Sequence, residues 1–263
     1  MTAAVAGGAR TPRPGQEKAR ALREEAARRQ RRRRTALASA GLVVALLVAL
    51  VVALALSRSG SAGAPAAAPA GTTERGGVLT GAPDAPVTVT VYLDLQCPAC
   101  RAFEEQAGPW LEQQRAAGAV EVEVVPIAIL DRLSSGTEYS TRAASAVHCV
   151  AADGADGGAG GGASRVPAFT AALYAEQPPE GGTGLPDDDL VQAAREAGAS
   201  PEVEGCITGG TYRDLVAQTT ETALASTGDG GGGVTGTPTV LVNGRAVEAS
   251  LPALQAAVQA AAR

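Results

Sequence analysis

The chain has 263 residues, 22 basic and 27 acidic side chains, and a formal net charge of -5. Its only large aromatic residues are Phe103, Phe169, Trp110 and four tyrosines, so any core must be aliphatic. The charge is unevenly divided: residues 1–34 carry Lys18 and ten arginines against three glutamates, about +8, and the remainder is about -13, which argues against a nucleic-acid-binding folded domain.

Residues 1–34 read as a basic cytoplasmic tail. From Thr35 to Ser57 run 23 uncharged residues, which as a helix span about 35 Å against roughly 30 Å of bilayer hydrocarbon. Arg28, Arg29 and Arg31 to Arg34 immediately precede it, so the expectation is one transmembrane helix at 35–57 with the following chain outside the cytoplasm. A cleaved signal peptide, with Ala53-Leu54-Ala55 as a loose cleavage site, is the rival reading; the apolar run is longer than a signal peptide needs. Residues 58–80, rich in Ser, Gly, Ala, Pro and Thr, read as a flexible linker to a domain over 81–263.

Within that domain, Val87 to Leu95 alternate as a strand ending at Cys97-Pro98-Ala99-Cys100. A helix follows to Gly118, with a kink or break expected at Gly108-Pro109, and Val120 to Leu130 gives a second strand. Strand, helix, strand predicts a right-handed unit with a parallel pair. A helical insertion at about 135–227 is expected in four pieces, Tyr139–Ala152, Val166–Gln177, Asp187–Ala197 and Pro201–Ser226. The glycine-rich break at Asp153–Gly162 is not a phosphate loop of the Walker type, because Lys18 is the only lysine. Asn243-Gly244 between two β-rich runs predicts a hairpin, and a last helix follows, capped by Ser250 and carrying Leu251, Leu254 and Val258 on one face. The fold class is therefore α/β.

Three motifs together resemble the DsbA-like branch of the thioredoxin superfamily, over about residues 75–263. They are Asp94-Leu95-Gln96-Cys97-Pro98-Ala99-Cys100 after a strand, the helical insertion, and Gly236-Thr237-Pro238-Thr239 before a strand ending in Asn243-Gly244. The likeness is greatest to the membrane-tethered DsbA-like proteins of high-GC Gram-positive bacteria. It implies a thioredoxin-like fold in which Pro238 is cis and faces the cysteine pair while Thr237 offers backbone groups to a bound peptide. It also implies a membrane partner of the DsbB or VKOR type that reoxidises the pair. Two residues depart from relatives: Ala99 stands where strongly oxidising members carry histidine, and Val91 where thioredoxins bury a carboxylate.

The chemistry is legible in the residues themselves. A thiol at a helix start, as at Cys97, faces unpaired N–H groups and the positive end of the dipole, which favours the thiolate. Cys100, one turn inside, is the buried resolving partner, and Pro98 suits the first turn because its missing N–H costs nothing there. Asp94, three residues before Cys97, is either a surface carboxylate at a strand end or a group that influences the thiol's titration. A structural disulfide between Cys149 and Cys206 is expected to staple two helices of the insertion. A zinc site is disfavoured because the second cysteine pair lacks the C-x-x-C spacing and His148 beside Cys149 gives poor tetrahedral geometry. The same lone histidine, with no nucleophile elbow around it, excludes a Ser-His-Asp reading.

These features predict an exported thiol:disulfide oxidoreductase that needs no cofactor and introduces disulfides into exported proteins with reduced cysteines. The same pattern also fits a reductase or isomerase, for instance in cytochrome c maturation, or a non-catalytic exported binding module. A monomer is expected, since no coiled-coil segment or second apolar surface is visible.

Overall fold

The computed structural model describes residues 66–154, 161–225 and 233–263. The basic tail, the apolar run at 35–57 and residues 58–65 of the linker lie outside the described residues. Among the described residues no helix is long and apolar enough to cross a membrane.

Strands β1 (Val78–Gly81), β2 (Val87–Leu93), β3 (Val120–Pro126), β4 (Thr239–Val242) and β5 (Arg245–Val247) form one sheet in the order β1-β3-β2-β4-β5. β2 and β3 run parallel, joined by helix α1 (Pro98–Ala116), with Val87 opposite Val120 and Val91 opposite Val124. Every other pairing is antiparallel. The central strands are buried on both faces, so Thr90 and Tyr92 are as enclosed as Val89 and Val91.

One face of the sheet packs on α1 through Cys100, Phe103, Ala107 and Leu111, spaced at three and four residues as a single helical stripe requires. The other face packs Tyr92, Val125 and Ile127 on Ala223 of α6 (Arg213–Ala225). Between β3 and β4 lie α2 (Tyr139–Ala152), α3 (Val166–Ala175), α4 (Asp187–Glu196) and α5 (Val203–Gly209), followed by α6. Helix α2 is enclosed over Ala143 to Ala151, which makes it the axis of the insertion. The last helix, α7 (Leu251–Ala261), buries Leu254 and Val258.

Four expectations are corrected or narrowed. The domain begins before Gly81: β1 falls inside the stretch assigned to the linker, and Thr73 donates to the buried Glu123 carboxylate at 2.6 Å. Of the kink or break expected at Gly108-Pro109 there is no break: helix α1 is continuous through Pro109, which lies on its exposed side and removes one hydrogen bond, that to the Glu105 carbonyl. The long helix expected over Pro201–Ser226 is two helices. Gly210 ends α5 at φ +61°, with its N–H on the Ile207 carbonyl and the Thr211 N–H on that of Cys206. Ser250 occupies the cap position of α7 but its side chain makes no capping bond, since Pro252 removes one of the donors it would accept from.

The hairpin turns where expected, with Asn243 at φ +47° and Gly244 at φ +78°, the paired left-handed conformations of a tight turn.

His148, inside α2, is fully enclosed, and neither ring nitrogen has a hydrogen-bond partner. Burial holds its pKa down at about 4, so it is neutral in the fold and takes up a proton on unfolding below its ordinary value of 6.5. Its contribution is fully present above that value and is lost as pH falls toward 4. Urea unfolding at pH 7 and pH 4.5 should therefore show His148→Leu losing about 2 kcal/mol less than the unsubstituted protein between the two. Equal losses in both proteins would contradict a buried neutral imidazole.

Candidate active site

Strand β2 ends at Leu93, and the turn that follows is closed by the Cys97 N–H donating to the Asp94 carbonyl at 3.0 Å. Cys97 is the cap residue of α1, Pro98 opens the helix, and the N–H groups of Cys100 and Arg101 both reach the Cys97 carbonyl. Pro98 and Ala99 are exposed, while Cys97 and Cys100 are 7% and 2% accessible. Both are free thiols in this structure, whereas Cys149 on α2 and Cys206 on α5 are bonded to each other.

Across the site, the peptide bond between Thr237 and Pro238 is cis, and the Cys97 thiol donates to the Thr237 carbonyl at 3.3 Å. The strand pairing of β4 with β2 sets this contact, because Tyr92 opposite Thr239 brings the start of β4 beside the end of β2.

The two sulfurs are electrostatically unlike. Cys97 is held down at about 5, chiefly because the Cys100 thiol donates to its sulfur. Burial opposes this, and a hydrogen bond from Thr237 and the N–H groups of Cys100 and Ala99 add to it. The helix start contributes as expected, but the partner thiol contributes more. Cys100 is pushed far up, by burial first and then by the same bond and the neighbouring negative charge.

Asp94 is no surface carboxylate. It is wholly buried, with Oδ1 accepting from the Gln96 N–H at 2.9 Å and the Ser140 hydroxyl at 2.7 Å, and Oδ2 from the Leu130 N–H at 3.0 Å. Burial raises its pKa to about 6 against those bonds, and the Cys97 charge adds to the rise.

A second set of residues, silent in the sequence, fixes the same turn. Gln96, itself buried, donates to the Leu133 carbonyl at 2.8 Å and accepts from the Ser134 hydroxyl at 2.6 Å. Gln177, just beyond α3, donates to the carbonyls of Leu95 at 2.9 Å and Cys97 at 3.2 Å. The Tyr174 hydroxyl reaches the Asp94 carbonyl at 3.3 Å. The segment after β3 therefore grips the active-site turn from 130 and 134, and the insertion from 140, 174 and 177, positions whose role depends on tertiary proximity rather than on any local pattern.

Such an arrangement can exchange a disulfide between its own sulfurs and an incoming thiol: one sulfur is acidic and near the surface, the other is buried and close enough to share a proton with it.

Comparison with known proteins agrees with that chemistry. The reduced form of the disulfide bond oxidoreductase DsbG from Mycobacterium tuberculosis is 32% identical and superimposes with a TM-score of 0.58, over 72% of this chain and 88% of that one. Oxidised DsbA from the same organism is 32% identical with a TM-score of 0.57, over 71% and 92%. The serine/threonine-protein kinase PknE of M. tuberculosis is 29% identical over 167 residues, which is 62% of this chain and 28% of the kinase, so the chain spans little more than a quarter of that relative's length. The Thioredoxin_4 family, described as thioredoxin, matches residues 73–260. The chain thus belongs to the thioredoxin family and is a DsbA-like protein thiol:disulfide oxidoreductase.

Proposed function

We propose that the protein works outside the cytoplasm as a thiol oxidase, inserting disulfides into exported proteins, held to the membrane by residues 35–57 and reoxidised by a membrane partner of the DsbB or VKOR type. The observation that carries the direction is the acidity of Cys97 beside a buried, protonated Cys100. At pH 7, a thiol titrating near 5 rather than near 9 favours the reduced pair by about a hundredfold, or about 60 mV for a two-electron couple. A disulfide whose reduced form is so stabilised is an oxidant. The formed Cys149–Cys206 bond supports an oxidising compartment.

In the cycle, a substrate thiolate attacks the Cys97 sulfur, the Cys97–Cys100 bond breaks, and Cys100 leaves and takes a proton. The substrate's second thiolate then attacks its own sulfur in the mixed disulfide and expels Cys97 as a thiolate. The substrate has lost two electrons, and the pair holds them until the membrane partner removes them.

Equilibration with glutathione tests the direction. Thioredoxin, with a thiol near 7, sits at about -270 mV; lowering the thiol to about 5 with all else equal moves the couple to about -220 mV. A measured potential at or above that value is expected. One near -270 mV would assign the protein to the reductases or isomerases of this fold instead.

A further inference from the structure

The cycle above uses two sulfurs, yet a carboxyl lies three residues from the attacked one, wholly out of water. Asp94 is held by donors from three places: the turn itself (Gln96), the segment after β3 (Leu130) and helix α2 (Ser140). Among the described residues no arginine lies within ion-pair distance of it. The titratable groups that face it are Cys97 on its own turn, Tyr139 on α2 and Tyr174 on α3. Arg142 stands beyond Tyr139, 5.7 Å from the ring centroid, and is paired with Asp187. Burial pushes both tyrosines up, so they stay neutral over the working range. The charge that comes and goes beside Asp94 is therefore the Cys97 thiolate.

We propose that Asp94 is a positioning residue for the exchange, fixing the Cys97 turn against the helical insertion and drawing a proton onto its carboxyl when Cys97 is released as a thiolate. With glutathione as reductant, two glutathione thiols give up two electrons and two protons and join as a disulfide. The Cys97–Cys100 bond breaks; one proton goes to Cys100, the other is drawn to Asp94 instead of to water, and Cys97 keeps its negative charge. On reoxidation the thiolate disappears and Asp94 returns its proton. Coupling between two sites is reciprocal: the thiolate favours protonated Asp94 by the same factor by which ionised Asp94 disfavours the thiolate. The carboxylate thus restrains the oxidising power of the pair in proportion to its own ionisation.

The inference rests on exchange at Cys97 and Cys100, not on its direction, so the test reads a ratio between variants rather than an absolute potential. The equilibrium constant with glutathione is measured for the full chain and for Asp94→Asn from pH 4.5 to pH 8. At pH 8 the asparagine variant should be more oxidising by about threefold to tenfold, because a neighbouring negative charge is gone. By pH 4.5, with Asp94 protonated in both redox states, the two constants should converge. A purely structural role shifts the constant equally at every pH, so a pH-independent ratio, or a variant less oxidising at pH 8, overturns the proposal.

Should the asparagine variant fail to fold, Ser140→Ala serves. It keeps the carboxyl and removes one of its donors, so it should match the unsubstituted protein at pH 8 and exceed it in oxidising power only between about pH 5 and 7, where carboxylate ionisation is incomplete. A ratio of one throughout overturns the proposal equally.

Discussion

Replacing Cys97 with serine is expected to abolish exchange, lowering the rate of disulfide transfer by at least about a thousandfold, because a hydroxyl is neither ionised at neutral pH nor able to enter a disulfide. Cys100→Ala has the opposite signature: it leaves the Cys97 thiol able to attack, though less acidic without the Cys100 donor, and removes its resolving partner, so mixed disulfides accumulate on Cys97. The geometry also fixes the pH at which this sulfur becomes reactive. Alkylation of the reduced protein should rise with a midpoint near 5 and be almost complete by pH 6, where an ordinary thiol is under about 1% ionised. A midpoint near 8.5 would remove the physical basis for the oxidising pair. Linkage gives the matching stability result. The folded reduced form has the depressed value, so its extra stability is full above the unfolded thiol's range near pH 9 and is lost as pH falls to about 5. The gap in unfolding free energy between reduced and oxidised protein should shrink across that interval.

Deleting the Cys149–Cys206 bridge by replacing both with alanine should lower the unfolding free energy by about 4 kcal/mol, since it frees a loop whose ends are 57 residues apart. For a domain of this size that corresponds to a fall in Tm of about 8 to 16 °C. The bridge joins α2 to α5, and α2 also carries Ser140, so the insertion is both the stapled part and the part that grips the active-site turn. At 25 °C, while the variant remains folded, Cys97 should still titrate near 5, because its partners are Cys100, Thr237 and the start of α1 rather than the insertion. A loss under about 1 kcal/mol in urea unfolding would show that the unfolded chain is already compact there.

What the sequence revealed and what it concealed follow from how local each signal is. The alternation read from Val87 to Leu95, which ends as a strand at Leu93, the pair at 97 and 100, the hairpin at Asn243-Gly244 and the span Tyr139–Ala152 all depend on neighbours a few residues apart, and the structure places each of them there. β1 was hidden because Val78 to Gly81 is only four residues long within a glycine- and threonine-rich stretch, and its pairing to β3 lies 40 or more residues away. At Pro109 the residues allow a kink or a break, and only the fold decides that the helix continues, with the proline on its exposed side. Asp94 stayed open between two readings for a related reason: a carboxylate at a strand end is ordinarily solvated, and only the arrival of Leu130 and Ser140, both over 30 residues on, allows it to be enclosed. Gln96 and Gln177 carried no readable signal, since an amide side chain gains its role from the carbonyls that folding brings to it.

Because β1 seals one margin of the sheet, the shortest self-sufficient version of this domain is longer than its motifs suggest. A truncation at Gly81 would strip the outer hydrogen-bonding row of β3 bare and withdraw Thr73 from Glu123, leaving an enclosed carboxylate short of a donor beside an open strand. Recombinant fragments cut there would be prone to pair edge to edge and precipitate; those that start before Thr72 would keep that margin covered.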